Sequence, residues 1–293
     1  MGLRDFLVQG VGRLIPDKMY IQIKFFQHFR KFADLKNPKR YTEKLQWLKL
    51  YDRKPIYTTM VDKYASKKYV ADLIGEEYVI PCVGGPWESA DDIDFDALPD
   101  QFVLKTNHDC GGVVICKDKS TFDFDGARAF LSRHLKNDYY LTGREWPYKN
   151  IKRCIFAEEY LEEAGIEAVD YKTMCFDGEP KLIHIHLGRF TNHTQDYYDI
   201  NWEKQEMEDD YLPKSDIVVE KPIWLEKMLL LSSKLSSGIP HIRCDWYCVN
   251  GKLYVGELTF FDASGFAKFT PDRWDYTLGS WIKLDCVKKE DKK

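Results

Sequence analysis

Apolar and polar positions along the chain change period several times, and each change marks an element. Leu3, Phe6, Leu7, Val11 and Leu14 recur at helical spacing and lead into a basic and aromatic stretch from Lys24 to Phe32, the pattern of an amphipathic arm. Asn37-Pro38 breaks that arm, and residues 42–51 resume as a short helix around Leu45, Trp47 and Leu48. After Pro55 a longer helix is predicted to run to about Ile74 and stop at Gly75, with Asp62, Lys63, Lys67 and Lys68 on a face that reads as solvated. Residues 78–83 then read as a strand, Gly84-Gly85-Pro86 as a turn and 88–100 as an acidic connection.

Strand patterns dominate the remainder. FVLKT at 102–106 is followed by the loop NHDCGG, a second strand VVICK and a helix over about 126–137 capped by Asp125. IFAEEYL at 155–161 is a short apolar strand holding Glu158 and Glu159, where strand propensity favours neither. A hairpin about Asp177-Gly178 carries Lys172 on its first strand and His184 and His186, alternating, on its second. A helix over 222–237 precedes a closing hairpin at 242–259. The mixture predicts an α+β fold.

The closing hairpin, IRCDWYCVNGKLYVGELT, concentrates charge in an apolar setting. A three-residue loop of Val249, Asn250 and Gly251 predicts Arg243 opposite Glu257 and Asp245 opposite Val255, which puts Arg243, Asp245, Glu257 and Thr259 on one face. A two-residue Asn-Gly turn instead shifts the register by one and separates Asp245 from Glu257. Two carboxylates and an arginine in such a place are either an internal ion pair or a site for a cation with an anionic ligand, for which Mg²⁺ with phosphate is the best fit.

Composition narrows the class. With 293 residues, 44% hydrophobic and 15% aromatic, the chain can bury a core spread over two or three lobes. A net charge of −4 offers no general attraction for nucleic acid or an anionic membrane. Eight cysteines without a CxxC pair, with Cys116, Cys154, Cys175, Cys244 and Cys248 inside apolar runs, read as reduced thiols of a cytoplasmic protein. No apolar run approaches the roughly 20 residues that cross a bilayer, and the charged opening segment does not read as a signal peptide. The arm is expected to pack over the main body, with weak peripheral membrane contact as its alternative.

Lys105, at the end of a buried strand, stands beside a loop holding Asn107, His108, Gly111 and Gly112. Either glycines and ammonium form a phosphate cradle, or an ordinary hairpin carries a snorkelling lysine. There is no GxxxxGK[ST], no GxGxxG between strand and helix and no HRD or DFG set, so a nucleotide site here is of another type. No Ser-His-Asp or activated-cysteine motif appears either.

Taken in order, the pieces are a strand with lysine and glycine loop, a helix, a glutamate-bearing strand, a lysine-bearing hairpin, a helix, and a hairpin with Arg-x-Asp and Glu-x-Thr. This order resembles an ATP-grasp protein. More closely, FVLKTNHDCGG, EWPYKN, EEYL, DYKTMCFDG, RCDWY and GELTFFDASGF resemble the TupA-like ATP-grasp family, which is associated with cell-surface polysaccharide assembly. The likeness runs from about Asn37 to Trp281 and includes the opening NPKRYTEKLQWLKLYDRKPIYTTMVDKYASKKYV.

The resemblance implies two α+β lobes clasping ATP, with a helical N-terminal extension. It divides the chain into an arm at 1–36, a pre-grasp region at 37–100, a small lobe at 101–165, a C-terminal lobe at 166–285 and a charged tail at 286–293. It implies that Lys105 and Lys172 contact the ATP phosphates under the loop of Asn107, His108, Gly111 and Gly112, and that Glu158 and Glu159, with the backbone of Tyr160 and Leu161, hold adenine. Asp245 and Glu257 would ligate Mg²⁺, with Thr259 where the general pattern has asparagine, and Arg243 would stabilise the transferring phosphoryl group. Glu162, Glu163, Glu167 and Asp170 are the candidates for the ribose.

The implied reaction is carboxylate activation: ATP phosphorylates a carboxylate, and an amine attacks the acyl phosphate to give an amide. The substrates would be a small-molecule or glycan carboxylate and an amine, such as a uronic acid, amino acid or amino sugar, and not nucleic acid. His108, His184 and His186 are candidates for the general base, because a neutral imidazole suits that task near pH 7. A phosphotransferase acting on a sugar hydroxyl would use the same ATP site. A sugar-nucleotide glycosyltransferase would need a DxD metal site, but 92–96 and 123–125 read as solvated turns and helix caps. A non-catalytic scaffold would not need both carboxylates, both lysines and the glycine loop. Tyr139, Tyr140, Trp146, Tyr148, Tyr197 and Tyr198 read as loop aromatics, either stacking on sugars or closing a lobe interface.

Overall fold

In the computed structural model two antiparallel sheets carry the polar centre of the molecule, and the description covers residues 11–161, 169–188, 192–285 and 287. The first ten residues of the arm, the ribose candidates Glu162, Glu163 and Glu167, and the tail apart from Val287 lie outside the described residues.

The helical part comes first: α1 (Asp17–Phe29), α2 (Tyr41–Tyr51), α3 (Ile56–Val61) and α4 (Ala65–Ile74). Helix α1 packs on the body through Tyr20, Ile21 and Phe25, the last against Phe266, and Asp17 receives Arg53 at 2.7 Å. The single helix expected after Pro55 is two. The Asp62 carboxylate accepts the backbone N–H groups of Tyr64 and Ala65 at 2.9 and 3.1 Å, so it ends one helix and caps the next.

The smaller sheet has the order β1-β4-β2-β3, from β1 (Cys82–Trp87), β2 (Phe102–Thr106), β3 (Val113–Cys116) and β4 (Ile155–Glu159). Gly84-Gly85-Pro86, expected as a turn, lies within β1, an irregular edge strand that tolerates proline because its outer side bonds to no neighbour. Gly85 has φ +93°, and a Cβ there would lie 2.9 Å from the Phe156 Cα, so only glycine lets the two strands approach this closely. Under the sheet, α5 (Phe124–Leu135) presents Ala127 and Leu131 to Phe95, Phe102, Leu104, Ile155 and Ala157. Its cap is Asp123 rather than Asp125, with Oδ1 accepting the Gly126 N–H at 2.9 Å. Each large side chain so buried contributes about 1.5–3 kcal/mol.

Helix α6 (Tyr139–Gly143) then leads, through residues 144–154, into β4. The larger sheet has the order β10-β9-β5-β6-β7, from β5 (Asp170–Phe176), β6 (Glu179–Leu187), β7 (Thr194–Asp199), β9 (His241–Val249) and β10 (Lys252–Thr259). A small ladder joins β8 (Glu208–Asp209) to β11 (Phe269–Thr270). Tyr197 and Tyr198, expected in a loop, are buried on β7.

One face of the larger sheet packs on α7 (Leu225–Leu235), where the Trp246 indole N–H meets Ser232 Oγ at 2.9 Å. At one end the other face is covered by α2 and α8 (Arg273–Trp281), with Tyr41 edge-on to His241. The rest of that face holds the charged residues.

Candidate active site

The closing hairpin turns through Asn250 and Gly251, both left-handed at φ 51° and 73°, which is the two-residue turn and not the three-residue loop expected. Lys252 therefore pairs with Val249, and Val255 with Trp246. Continued unchanged, that register would separate the two acids. A bulge at Gly256 shifts it, so that Glu257 pairs with Asp245 and Thr259 with Arg243. The pairings differ by two residues from those expected, which leaves the four side chains on one face.

Arg243 grips Asp245 with both arms of its guanidinium, Nε to Oδ1 and Nη2 to Oδ2, each at 2.7 Å. Lys172 Nζ reaches the same Oδ2 at 2.8 Å, and Nη1 of Arg243 binds Asp262. Glu257 Oε1 accepts the Thr259 hydroxyl at 3.1 Å and stands 3.4 Å from Arg243 Nη2. Its side chain is 35% exposed, against 6% for Asp245. Burial would raise the pKa of Asp245, but Arg243 and Lys172 outweigh it and hold the carboxyl below its ordinary range. Asp262 is held down by Arg243 in the same way, and Glu257 mainly by Lys63.

Antiparallel pairing extends this cluster across the sheet. Lys172 lies opposite Asp245 on one side and His184 on the other, and His184 lies opposite Tyr197. Glu257, Asp245, Lys172, His184 and Tyr197 thus form one cross-strand row over five strands.

The smaller sheet contributes a second cluster. Glu158 is buried, with Oε1 2.6 Å from Lys67 and Oε2 paired with Lys105; against the cost of burial the two lysines hold its carboxyl low. Glu159 alternates to the other face, where it is exposed beside Tyr160, so the two glutamates do not act on one ligand atom together. Leu161 follows, half-buried.

In the glycine loop, Asn107 is a brace. Its amide donates to Asp62 and the Lys152 carbonyl and accepts the Cys154 N–H, at 2.9, 3.0 and 2.9 Å. His108 is buried with Nε2 3.1 Å from the Asn137 carbonyl, and Asp109 is bound by Thr106 and His134. Cys110 and Gly111, at φ +88°, are the exposed apex, whereas Gly112 is buried.

Lys63 joins the charged row to the glycine loop: Nζ donates to the Asp109 carbonyl at 2.7 Å and stands 3.7 Å from Glu257 Oε2. Lys63 and Lys67 were both read as solvated from the sequence. Only Lys68 is, with its side chain 82% exposed and paired with Asp72. Asp262 was also missed, although an acid in the apolar run FFDASGF is a signal of the same kind as Asp245. So was Glu145, whose buried carboxyl is raised by desolvation beside Lys49, itself pushed down to about 7 by burial.

Among the described residues no group of three or more His, Cys, Asp or Glu side chains is assembled to hold a metal ion. The pair Asp245 and Glu257, with the Thr259 hydroxyl, is instead a small set of hard oxygens, in which Glu257 is partly open and both Asp245 oxygens are held by Arg243 and Lys172. That suits Mg²⁺, which usually takes one or two carboxylates and fills its remaining positions with phosphate oxygens and water.

The TupA-like ATPgrasp family matches residues 43–283. The chain belongs to that family. Its α+β architecture of two antiparallel sheets flanked by helices is the ATP-grasp fold. Among solved structures it is similar to D-alanine--D-alanine ligase from Bacillus anthracis complexed with ATP, at 19% identity over 69% of this chain and 54% of that one, with a TM-score of 0.40. It is also similar to L-amino acid ligase from Bacillus licheniformis, at 11% identity over 90% and 61%, with a TM-score of 0.46. The chain thus spans little more than half the length of these structures, and TM-scores below 0.5 leave the fold to the family match and the topology above. Comparison with curated proteins gives no match.

Proposed function

We propose that this protein is an ATP-dependent ligase that joins a carboxylate to an amine through an acyl phosphate, in the assembly of a cell-surface polysaccharide. The observation that carries the reading is the row of Glu257, Asp245 and Lys172, with Arg243 clamped on Asp245 and Lys63 tying the row to the glycine loop. Phosphoryl transfer needs positioning and neutralisation of charge far more than a protein nucleophile, and this cluster is built from those elements. The polysaccharide setting and the cytoplasmic location rest on the family and the composition alone.

In this reading Lys105 and Lys172 hold the phosphates beneath the Cys110-Gly111 apex, and the backbone of Tyr160 and Leu161 takes the adenine edge. Glu158 serves chiefly as the counter-ion that keeps Lys67 and Lys105 in place. Asp245, Glu257 and Thr259 would hold Mg²⁺, which when bound supplies neutralisation of the phosphate oxygens. Arg243, oriented by Asp245 and Asp262, places positive charge where the transferring group passes.

The outer face of α1 supports a peripheral contact with an anionic membrane. Met19, Ile23 and Phe26 are exposed on one side, the Phe32 ring lies tilted with its centroid 5.1 Å from that of Phe26, and Lys18, Arg30 and Lys31 stand exposed beside them. Among the described residues no helix is long and apolar enough to cross a membrane.

Thermal shift with Mg-ATP, with ATP and EDTA, and with sugar nucleotides tests the ATP site. A ligand at about 100 times its Kd stabilises by roughly 2.7 kcal/mol. Metal-dependent stabilisation by ATP, with ADP release that requires both a carboxylate and an amine, is the expected result. Stabilisation by a sugar nucleotide alone would replace the ligase with a glycosyltransferase. ADP release with a sugar and no amine would leave a phosphotransferase.

A further inference from the structure

His184 sits in the charged row opposite Lys172 and is 3% exposed. Its Nε2 lies 2.8 Å from Gln195 Oε1. The Gln195 amide nitrogen donates to the Asp209 carboxylate and to the Leu212 carbonyl, which orients the amide with its oxygen toward the imidazole. An amide oxygen only accepts, so Nε2 carries the proton and Nδ1 is left with its lone pair. Nδ1 is buried and has no hydrogen-bond partner among the described residues. Asp209 also accepts the Tyr197 hydroxyl at 2.6 Å, and the Tyr197 ring stacks on His184 at 4.3 Å and 20°. Orientation, tautomer and ring plane are therefore all set by β7 and β8, and the bare nitrogen is their product.

The other two candidates lack this arrangement. His108 also has an unpartnered Nδ1, but it lies in the glycine loop with Asp109, Arg153 and Lys63 around it, off the cross-strand row. His186 faces His193 at 2.9 Å between two ring nitrogens, which leaves its tautomer open.

The groups facing His184 are Lys172, Arg243, His186, Asp262 and Asp209. Burial, together with the two cations, lowers its pKa against the opposing pull of the two aspartates, so the ring is neutral at pH 7. Gln195 Oε1 stays in place to receive the Nε2–H more strongly once the ring is charged.

We propose that His184 is the general base for the second half of the ligation, receiving the proton on Nδ1. This rests on the ligase reading above. The amine lone pair forms the C–N bond to the activated carboxyl carbon, the bond from that carbon to the phosphate oxygen breaks with its electron pair leaving on phosphate, and the amine N–H proton passes to Nδ1.

The test separates the two halves. Full-length protein with Mg-ATP is offered D-glucuronate, D-galacturonate or each of the twenty amino acids as carboxylate. The nucleophile is either glycine or hydroxylamine, whose nitrogen is neutral at pH 7 and, once bonded to carbon, is acidic enough to lose its proton to water without a positioned base. His184→Asn and His184→Gln are expected to lower amide formation by about 100-fold or more while hydroxamate formation stays within a few-fold of wild type. Amide formation at the wild-type rate, or equal loss of amide and hydroxamate, overturns the assignment. A wild-type protein that yields ADP and hydroxamate but whose His184 is not the Nε2–H tautomer in ¹⁵N NMR at pH 7 overturns it as well, independently of any variant. If the wild type makes neither hydroxamate nor amide, the ligase reading itself fails and the base falls with it.

Discussion

Asp245 faces Glu257 across two antiparallel strands because Gly256 bulges out of the hairpin between them. A Cβ on Gly256 would lie 2.6 Å from the Tyr247 ring. Gly256→Ala is therefore expected to cost about 1–3 kcal/mol in urea denaturation. Deletion of Gly256 removes the bulged residue itself, so the pairs of Val255 with Trp246 and of Glu257 with Asp245 become consecutive, the two carboxylates stay opposite each other and stabilisation by Mg-ATP should persist. A deletion variant that loses the thermal shift from Mg-ATP would show that pairing the two carboxylates is not sufficient for the site.

The two carboxylates should respond differently to substitution. Asp245→Ala leaves Arg243 and Lys172 buried without their shared anion and is expected to destabilise by about 3–5 kcal/mol. Glu257→Gln changes a side chain that is a third exposed, and should cost less than about 1 kcal/mol while eliminating ADP release. Denaturant titrations alongside an ADP assay measure both effects on the same preparations.

Lys63, Lys67 and Lys68 belong to one short segment but have different surroundings. Lys67→Ala leaves buried Glu158 with Lys105 alone and should destabilise by about 1–3 kcal/mol. Lys63→Ala should raise the KM for ATP about tenfold or more, a loss of about 1.4 kcal/mol, by releasing the loop from the row. Lys68→Ala should change neither by more than about 0.5 kcal/mol. Equal effects from all three would return the segment to a solvated face.

Stability should rise with pH in the weakly acidic range. His241 donates Nδ1–H to the Cys175 carbonyl at 2.9 Å and accepts the Tyr41 hydroxyl at 3.0 Å, and burial holds its pKa down at about 4. Between about 4 and the unfolded value near 6.5 the unfolded chain binds the extra proton, so stability falls as pH drops through that window. This group adds up to about 1.4 kcal/mol per pH unit, and burial of His184 and His186 acts in the same direction. The carboxyls of Asp245, Asp262, Glu257 and Glu158 have depressed values, so their contribution is complete above the unfolded values near 4 and is lost below them. Urea denaturation from pH 4.5 to 7.5 should show the slope, and His241→Gln should reduce it. A flat profile would mean that His241 is not buried in the neutral form.

If the outer face of α1 meets an anionic membrane, sedimentation with phosphatidylglycerol vesicles should fall several-fold on Ile23→Ser with Phe26→Ser, and also with added salt. Equal binding to phosphatidylcholine vesicles would argue against the charge contribution.

What could be read from the sequence was read best where the signal is local or periodic. Lys105 at the end of FVLKT, the glycine loop and the Arg-x-Asp and Glu-x-Thr pairs each place a charge in an apolar strand, and their order identified the family. Even the wrong hairpin turn gave the right face, since strand side chains repeat every two residues and the register was off by two.

Tertiary structure decided what depends on distant neighbours. Nothing local to Asp62 announces that it divides one helical pattern into two, and nothing local to Lys63 and Lys67 says that Glu257 and Glu158 await them, because the partners lie far along the chain. The bulge at Gly256 follows from how β10 must meet β9. The bare nitrogen of His184 is set by Gln195, Asp209 and Tyr197, which reach it only once β6, β7 and β8 are assembled. The sequence by itself determined which charges enter the sheet, on which faces and in what order, since periodicity belongs to each strand alone. Which charge meets which, and which imidazole nitrogen keeps its lone pair, depends on contacts between strands, and only the folded chain decides them.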